Sequence, residues 1–263
     1  MRKESPLHQQ INSSEAYTHL AQYYDRLMEV DYSQWVAYLK RTWQRFGFKP
    51  RKVLDIGCGT GNITVPLAQM GLEVTAVDYS PAMIQVARAK AEQAQVSVNF
   101  VVQKMQQLQL AEQFDMVVCC CDVVNYLTTE TDLQQFISRV YQHTKPGGLF
   151  LFDLNSEFKL KEIYGNQSYA DLFDDCAYFW DNSFDEVNEI CTMNLTFFIE
   201  VEPGVFRRVS EFHREKLWRP DKIFACLREN NWEIIGYYEF LTWREPQGDA
   251  ERWQFAVKKG MRR

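Results

Sequence analysis

The sequence predicts an α/β fold: a mostly parallel sheet with helices on both faces, interrupted by an antiparallel β arm. Three observations predict it. Val53-Leu54-Asp55-Ile56 is a short apolar run that leads into the glycine loop Gly57-Cys58-Gly59-Thr60-Gly61, and a helix follows from Ile63 to Met70. Strand-like and helix-like patterns then alternate to about Leu154. Beyond Ser156 the period changes to two: Cys191, Met193, Leu195, Phe197 and Ile199 fall on one face, opposite Thr192, Asn194 and Thr196.

The elements follow in order. Met1 to Asn12 reads as a loosely held end, and Ser13-Ser14-Glu15 opens a helix running to about Met28. Its apolar positions Tyr17, Leu20, Ala21, Tyr24 and Leu27 recur at three- and four-residue spacing. A second helix, Tyr32 to Phe46, carries Trp35, Leu39 and Trp43 and is ended by Gly47 and Pro50. After the glycine loop, Glu73 to Asp78 is a buried strand. Ser80 caps the next helix and Pro81 takes its first position, with Gln93 near its end. Val96–Val102 and Phe114–Cys120 are further strands, Thr131–Thr144 a helix, Pro146-Gly147-Gly148 a turn and Leu149–Leu154 a strand. In the arm, Phe158 to Phe173 reads as helical or irregular, and Ala177–Phe184, Glu189–Val201 and Val205–Leu217 as strands with a hairpin turn at Glu202-Pro203-Gly204. A helix over Pro220–Asn230 and strands over Trp232–Phe240 and Arg252–Lys258 close the chain.

The chemistry lies in the glycine loop and the two strand ends beside it. Gly57, Gly59 and Gly61 can take positive φ and present no Cβ to a bound molecule, and the helix start behind them offers unpaired N–H groups. Asp78, at the tip of the next strand, is a carboxylate able to accept bonds from both hydroxyls of a ribose. A dinucleotide fingerprint needs Gly-x-Gly-x-x-Gly, and its third glycine would fall on Asn62. The spacing present is Asp55-x-Gly57-x-Gly59-x-Gly61, which resembles the first motif of the class I S-adenosylmethionine (SAM)-dependent methyltransferases. "Lys-Pro-Gly-Gly" before the fifth strand and the closing strand pair resemble the same family.

That resemblance implies a seven-stranded sheet whose last strand is antiparallel, and SAM as cofactor with S-adenosylhomocysteine as product. It implies cofactor contacts from Asp55, Gly57, Cys58, Gly59, Thr60 and Gly61, ribose binding by Asp78, and adenine flanked by Tyr79 and Met83. Tyr24, in a "Tyr-Asp" helix, is implied as a lid residue near the methionine end. Lys104-Met105 stands where the family often has an acid and an apolar residue. Lys104 has no acceptor for an adenine amino group, which leaves the backbone at Met105 as the ring contact. Cys121 and Asp122 follow the fourth strand and should border the methyl group, since ligands gather beyond the carboxyl ends of such strands. The organisation expected is a helical cover over 1–50, a SAM-binding core over 51–155 and 219–263, and an inserted arm over 156–218 that covers the cofactor mouth.

The catalytic candidates are Asn125 and Tyr126, in the loop after the fourth strand, and His213. His213 lies between Glu211 and Glu215 on one side of its strand, where it could take a proton, grip a cationic amine or belong to a solvated charged face. No metal site is expected. The reading is transfer of a methyl group by in-line displacement to an amine or hydroxyl of a small molecule. A tRNA or protein methyltransferase and a SAM-binding interaction module without turnover are the alternatives. A net charge of −6 argues against a nucleic-acid partner, and the Asn/Asp-Pro-Pro-aromatic motif of base methyltransferases is absent, Asp122-Val123-Val124-Asn125 occupying that loop. Seven cysteines, three of them adjacent at 119–121, fit free thiols in a reducing cytoplasm. No signal peptide or membrane span is read, and the protein is expected to be a monomer or homodimer.

Overall fold

A computed structural model describes residue 17 and residues 20–28 and 30–261. After α1 (Tyr24–Leu27) and α2 (Tyr32–Arg45) the chain runs β1 (Lys52–Ile56), α3 (Thr64–Gln69), β2 (Glu73–Asp78), α4 (Pro81–Gln93), β3 (Val98–Val102), β4 (Phe114–Cys119), α5 (Glu130–His143) and β5 (Thr144–Asn155). The arm contributes β6 (Ser168–Leu172), β7 (Cys176–Asp185), β8 (Ile190–Glu202) and β9 (Val205–Lys216), and α6 (Pro220–Glu229), β10 (Trp232–Glu239) and β11 (Arg252–Lys259) complete the chain.

The main sheet has seven strands in the order β10-β11-β5-β4-β1-β2-β3. Its pairings are parallel from β3 through to β5, and β11 is antiparallel to both β5 and β10. Adjacent residues Val53 and Leu54 both have no exposed surface although they point to opposite faces, so the sheet is covered on both sides. Leu54, Phe150, Phe152 and Phe255 pack with Phe136 and Ile137 of α5 and Leu227 of α6. Val53, Met116 and Leu151 pack on the other side with Trp35, Leu39 and Trp43 of α2 and Leu67 of α3.

Four details differ from the sequence reading. The expected first helix is, in its described part, a 3-10 turn at Leu20–Gln22 followed by the single turn of α1; residues 13–16 lie outside the described residues. The Pro146-Gly147-Gly148 turn is taken up as a bulge within β5, because the pairing with β4 jumps from Phe114↔Thr144 to Met116↔Leu149. The arm has a fourth strand, β6, exposed at every residue, so no apolar alternation announces it. Between β5 and β6 the chain makes a π-helical turn at Lys159–Tyr164.

The period-two face of β8 is buried as read, from Cys191 through Ile199. Phe197 is 2% exposed, whereas Phe198 packs half-buried against Phe179 on the other face. Phe197→Ala is therefore expected to cost about 3–5 kcal/mol in urea denaturation, and Phe198→Ala less than about 1.5 kcal/mol.

Candidate active site

Two adjoining cavities open beyond the carboxyl ends of the parallel strands. The first, of about 230 Å³, is built by the glycine loop. Gly57 and Cys58 donate backbone N–H bonds to the Val77 carbonyl at 2.7 and 3.1 Å, pinning the loop to the end of β2. Gly57 has φ +72°, and a Cβ there would stand 2.5 Å from the Val123 side chain, so only glycine fits. The Asp78 carboxylate is buried at the floor and accepts from Gly59 N and Ser80 N, each at 2.9 Å.

Thr60, Tyr79, Met83, Lys104 and Met105 complete the walls of this cavity with Asp55, Cys58, Gly59 and Cys121. Two residues of the expected cofactor set stand apart. Gly61 does not line the cavity; a Cβ there would meet Ala87 at 3.1 Å, so it serves the close packing of the loop on α4. Asp122 lines the second cavity.

The cover of the first cavity is latched by Asp25. Its carboxylate accepts from Thr60 Oγ1 at 2.6 Å and Asn62 Nδ2 at 2.7 Å, and pairs with Lys90. Burial alone would raise the Asp25 carboxyl, but the bonds from Lys90, Thr60 and Asn62 hold it below its ordinary value. The "Tyr-Asp" pair thus divides its work: Tyr24 faces the cavity and Asp25 fixes the helix to the glycine loop.

The second cavity, of about 340 Å³, lies under the arm. Lys159, Tyr164, Trp180, Met193, Leu195, His213 and Glu215 come from the inserted segment, and Asp122, Trp35, Phe240 and Arg252 close it. The arm therefore covers this second cavity; among the described residues it contributes nothing to the walls of the first. Tyr17, Tyr24, Tyr32, Cys121 and Tyr126 line both and form the boundary between them.

A closed hydrogen-bond ring stands at that boundary. Tyr17 and Tyr126 hydroxyls lie 2.6 Å apart, Tyr126 Oη is 3.1 Å from His213 Nδ1, and His213 Nε2 is 3.2 Å from Glu211 Oε2. Glu211 Oε2 also accepts from the Tyr17 backbone N at 3.0 Å. An ionised carboxylate only accepts, so the neutral imidazole carries its proton on Nε2 and leaves Nδ1 to accept from the Tyr126 hydroxyl. Glu211, His213 and Glu215 are each at most 5% exposed, so this side of β9 is not the solvated face that their charges allow.

Asn125 lines neither cavity. Its Nδ2 donates to the Lys216 carbonyl and its Oδ1 accepts from Asn155 N, both at 3.0 Å. It braces backbone between β5 and β9. Asn155 in turn donates to Glu215 Oε2 at 2.7 Å. Burial, and then the charge of Asp122, push the Glu215 carboxyl well above its usual range. Burial works the same way on Asp122, but Arg252 at 2.8 Å and the more distant Lys159 outweigh it and hold Asp122 low.

The comparisons with known proteins agree with this geometry. A methyltransferase-domain family model matches residues 53–148. A protein of Geobacillus sp. (strain WCH70) that carries a methyltransferase name is 33% identical over 92% of this chain and 99% of its own length. The chain belongs to the class I SAM-dependent methyltransferases. The crystal structure of a SAM-dependent methyltransferase from Clostridium acetobutylicum superposes with a TM-score of 0.85 at 28% identity, over 93% of this chain and 99% of that one. A SAM-bound amino pentose methyltransferase from Micromonospora echinaspora shares the fold, with a TM-score of 0.70 at 19% identity over 92% and 96% of the two chains.

The residues of this methyltransferase that sequence reasoning missed are Asp25, Tyr32, Lys159 and Arg252. The first two sit in the cover and the last two join the site from distant segments. Only Asp25, next to Tyr24, had a local signal. Asp55 has a further consequence for stability. It is 2% exposed, accepts from Thr64 Oγ1 at 2.5 Å, and burial, with a smaller push from Asp78, raises it to about 7. The folded chain thus keeps a proton that the unfolded chain releases near pH 4. Relative to Asp55→Asn, the natural protein should lose stability as pH rises from about 4 to 7 and then level off, by on the order of 4 kcal/mol. Urea denaturation of both proteins across that range checks this.

Proposed function

We propose that this methyltransferase binds SAM in the first cavity and methylates an amine or hydroxyl of a small molecule held in the second. The carrying observation is the common wall of Tyr17, Tyr24, Tyr32, Cys121 and Tyr126, where a donor on one side meets an acceptor on the other. The second cavity is of the size that encloses a small molecule.

The residues of the first cavity fit SAM. Each Asp78 oxygen accepts one backbone N–H and keeps acceptor capacity for a ribose hydroxyl. A Cβ on Gly59 would meet nothing within 4 Å, so the backbone there is open to close approach by a ligand. Tyr79, Met83 and Met105 offer the apolar surfaces for adenine, with Lys104 at the edge. Tyr24 and Cys121 border the methionine end. When bound, SAM supplies an activated methyl on a sulfonium.

The chain must then orient the acceptor, exclude water and, for a hydroxyl, remove a proton. The tyrosine cover excludes water and fixes the line of approach. Tyr126 lines both cavities and its hydroxyl donates to His213, so a proton leaving the acceptor can pass through Tyr126 Oη to His213 Nδ1. Glu211 keeps the ring oriented and stabilises the imidazolium that results.

Asp78→Ala should weaken SAM binding in calorimetry by roughly a hundredfold or more, the loss of two charge-assisted bonds. Retained affinity would remove SAM from this cavity. His213→Ala and Tyr126→Phe, assayed with an acceptor found by methyl release from metabolite pools, should each lower kcat by about 10²–10⁴ if the acceptor must lose a proton. Both should leave SAM affinity near its natural value.

A further inference from the structure

The charged groups of the second cavity are almost all committed. Arg252 is held by Asp122 at 2.8 Å and by Asp153, Glu215 by Asn155, and His213 by Tyr126 and Glu211. Lys159 differs. Its side chain is half-buried and lines the cavity, yet among the described residues its ammonium has no hydrogen bond or ion pair. The ammonium lies over the Tyr164 ring, 5.3 Å from the centroid. Trp180 stacks obliquely on that same ring at 5.4 Å, and its indole N–H is buried without a partner. Lys159, Tyr164 and Trp180 line the second cavity and not the first, so none of them belongs to the shared wall.

The Lys159 ammonium is thus a cation of this cavity that no described side chain has claimed, and an anionic ligand would complete it. Part of the lining is aromatic and apolar, with Trp35, Phe240, Met193 and Leu195, and the carboxyl groups of Asp31, Asp122, Glu215 and Glu251 also stand on the walls. We propose that the acceptor is a largely apolar or aromatic molecule bearing an anionic group, a carboxylate or a phosphate, that seats on Lys159 beside Tyr164 and Trp180. Its methyl-accepting group then points to Tyr126 at the shared wall. The proposal rests on the methyltransferase reading above and deepens it. Burial and the nearby Arg252 depress the Lys159 ammonium, against a smaller opposing pull from Asp122, Glu251 and Glu215, and a bound anion would add to that pull.

The test is calorimetry on the full chain with S-adenosylhomocysteine already bound. The probes are 4-hydroxybenzoate, 4-hydroxyphenyl phosphate and the neutral 4-hydroxybenzamide. At least one anion is expected to bind about tenfold tighter than the amide, the worth of one charge-assisted bond. The better anion identifies carboxylate or phosphate as the natural group. Lys159→Met, which keeps an apolar stem, should abolish that preference while S-adenosylhomocysteine affinity stays unchanged, which also confirms that the variant is folded. Equal binding of amide and anions, binding of none of the three, or a preference that survives Lys159→Met overturns the proposal. Failure to bind S-adenosylhomocysteine at all would instead sink the methyltransferase reading.

Discussion

The guanidinium of Arg252 is the tie on which both cavities depend. It comes from the first residue of the last strand and meets Asp153 of β5 and Asp122 of the loop after β4. Asp153 also accepts the backbone N–H groups of Cys121 and Asp122, at 2.8 and 2.9 Å. Those two residues have φ of +64° and +57°, a left-handed conformation that non-glycine residues adopt only when the surroundings impose it. The imposed turn aims Cys121 and Tyr126 at the boundary between the cavities. Removing one partner from such a buried set leaves an uncompensated charge and costs about 3–5 kcal/mol. The site thus depends on closure of the sheet, since no tie exists until the seventh strand is paired.

The cover is fastened differently. Asp25 is joined to Thr60, Asn62 and Lys90 by bonds at a partly exposed site, where each contributes modestly. A tyrosine-rich cover held by such bonds can leave and return without unfolding the core. The Arg252 set is buried and the Asp25 set partly exposed, so the second costs less to break than the first.

The core was legible because its signals are local. A glycine loop between an apolar strand and a helix, an acid at the next strand tip, and Ser80-Pro81 as a cap are each read within a few residues, and β2 and α4 have the predicted limits. The period-two face of β8 was equally plain. What the sequence concealed depends on distance along the chain. Lys159, near the start of the insertion, and Arg252, in the last strand well past its end, line one cavity, and neither has a neighbour that marks it. β6 was hidden because full exposure erases alternation. Asn125, read as a polar group for chemistry, is fully buried and spends its amide on backbone, which composition cannot distinguish from a catalytic placement.

The Asn125 amide has an architectural consequence. It grips Asn155, where the inserted segment departs, and Lys216, where it returns. One side chain therefore clasps both ends of an excursion of some sixty residues, whose closure entropy grows only slowly with its length. An insertion stapled at its base can be lengthened, trimmed or exchanged over generations while the glycine-loop half stays as it is. The cavity beneath the arm can then be reshaped while the clasp at its base is kept.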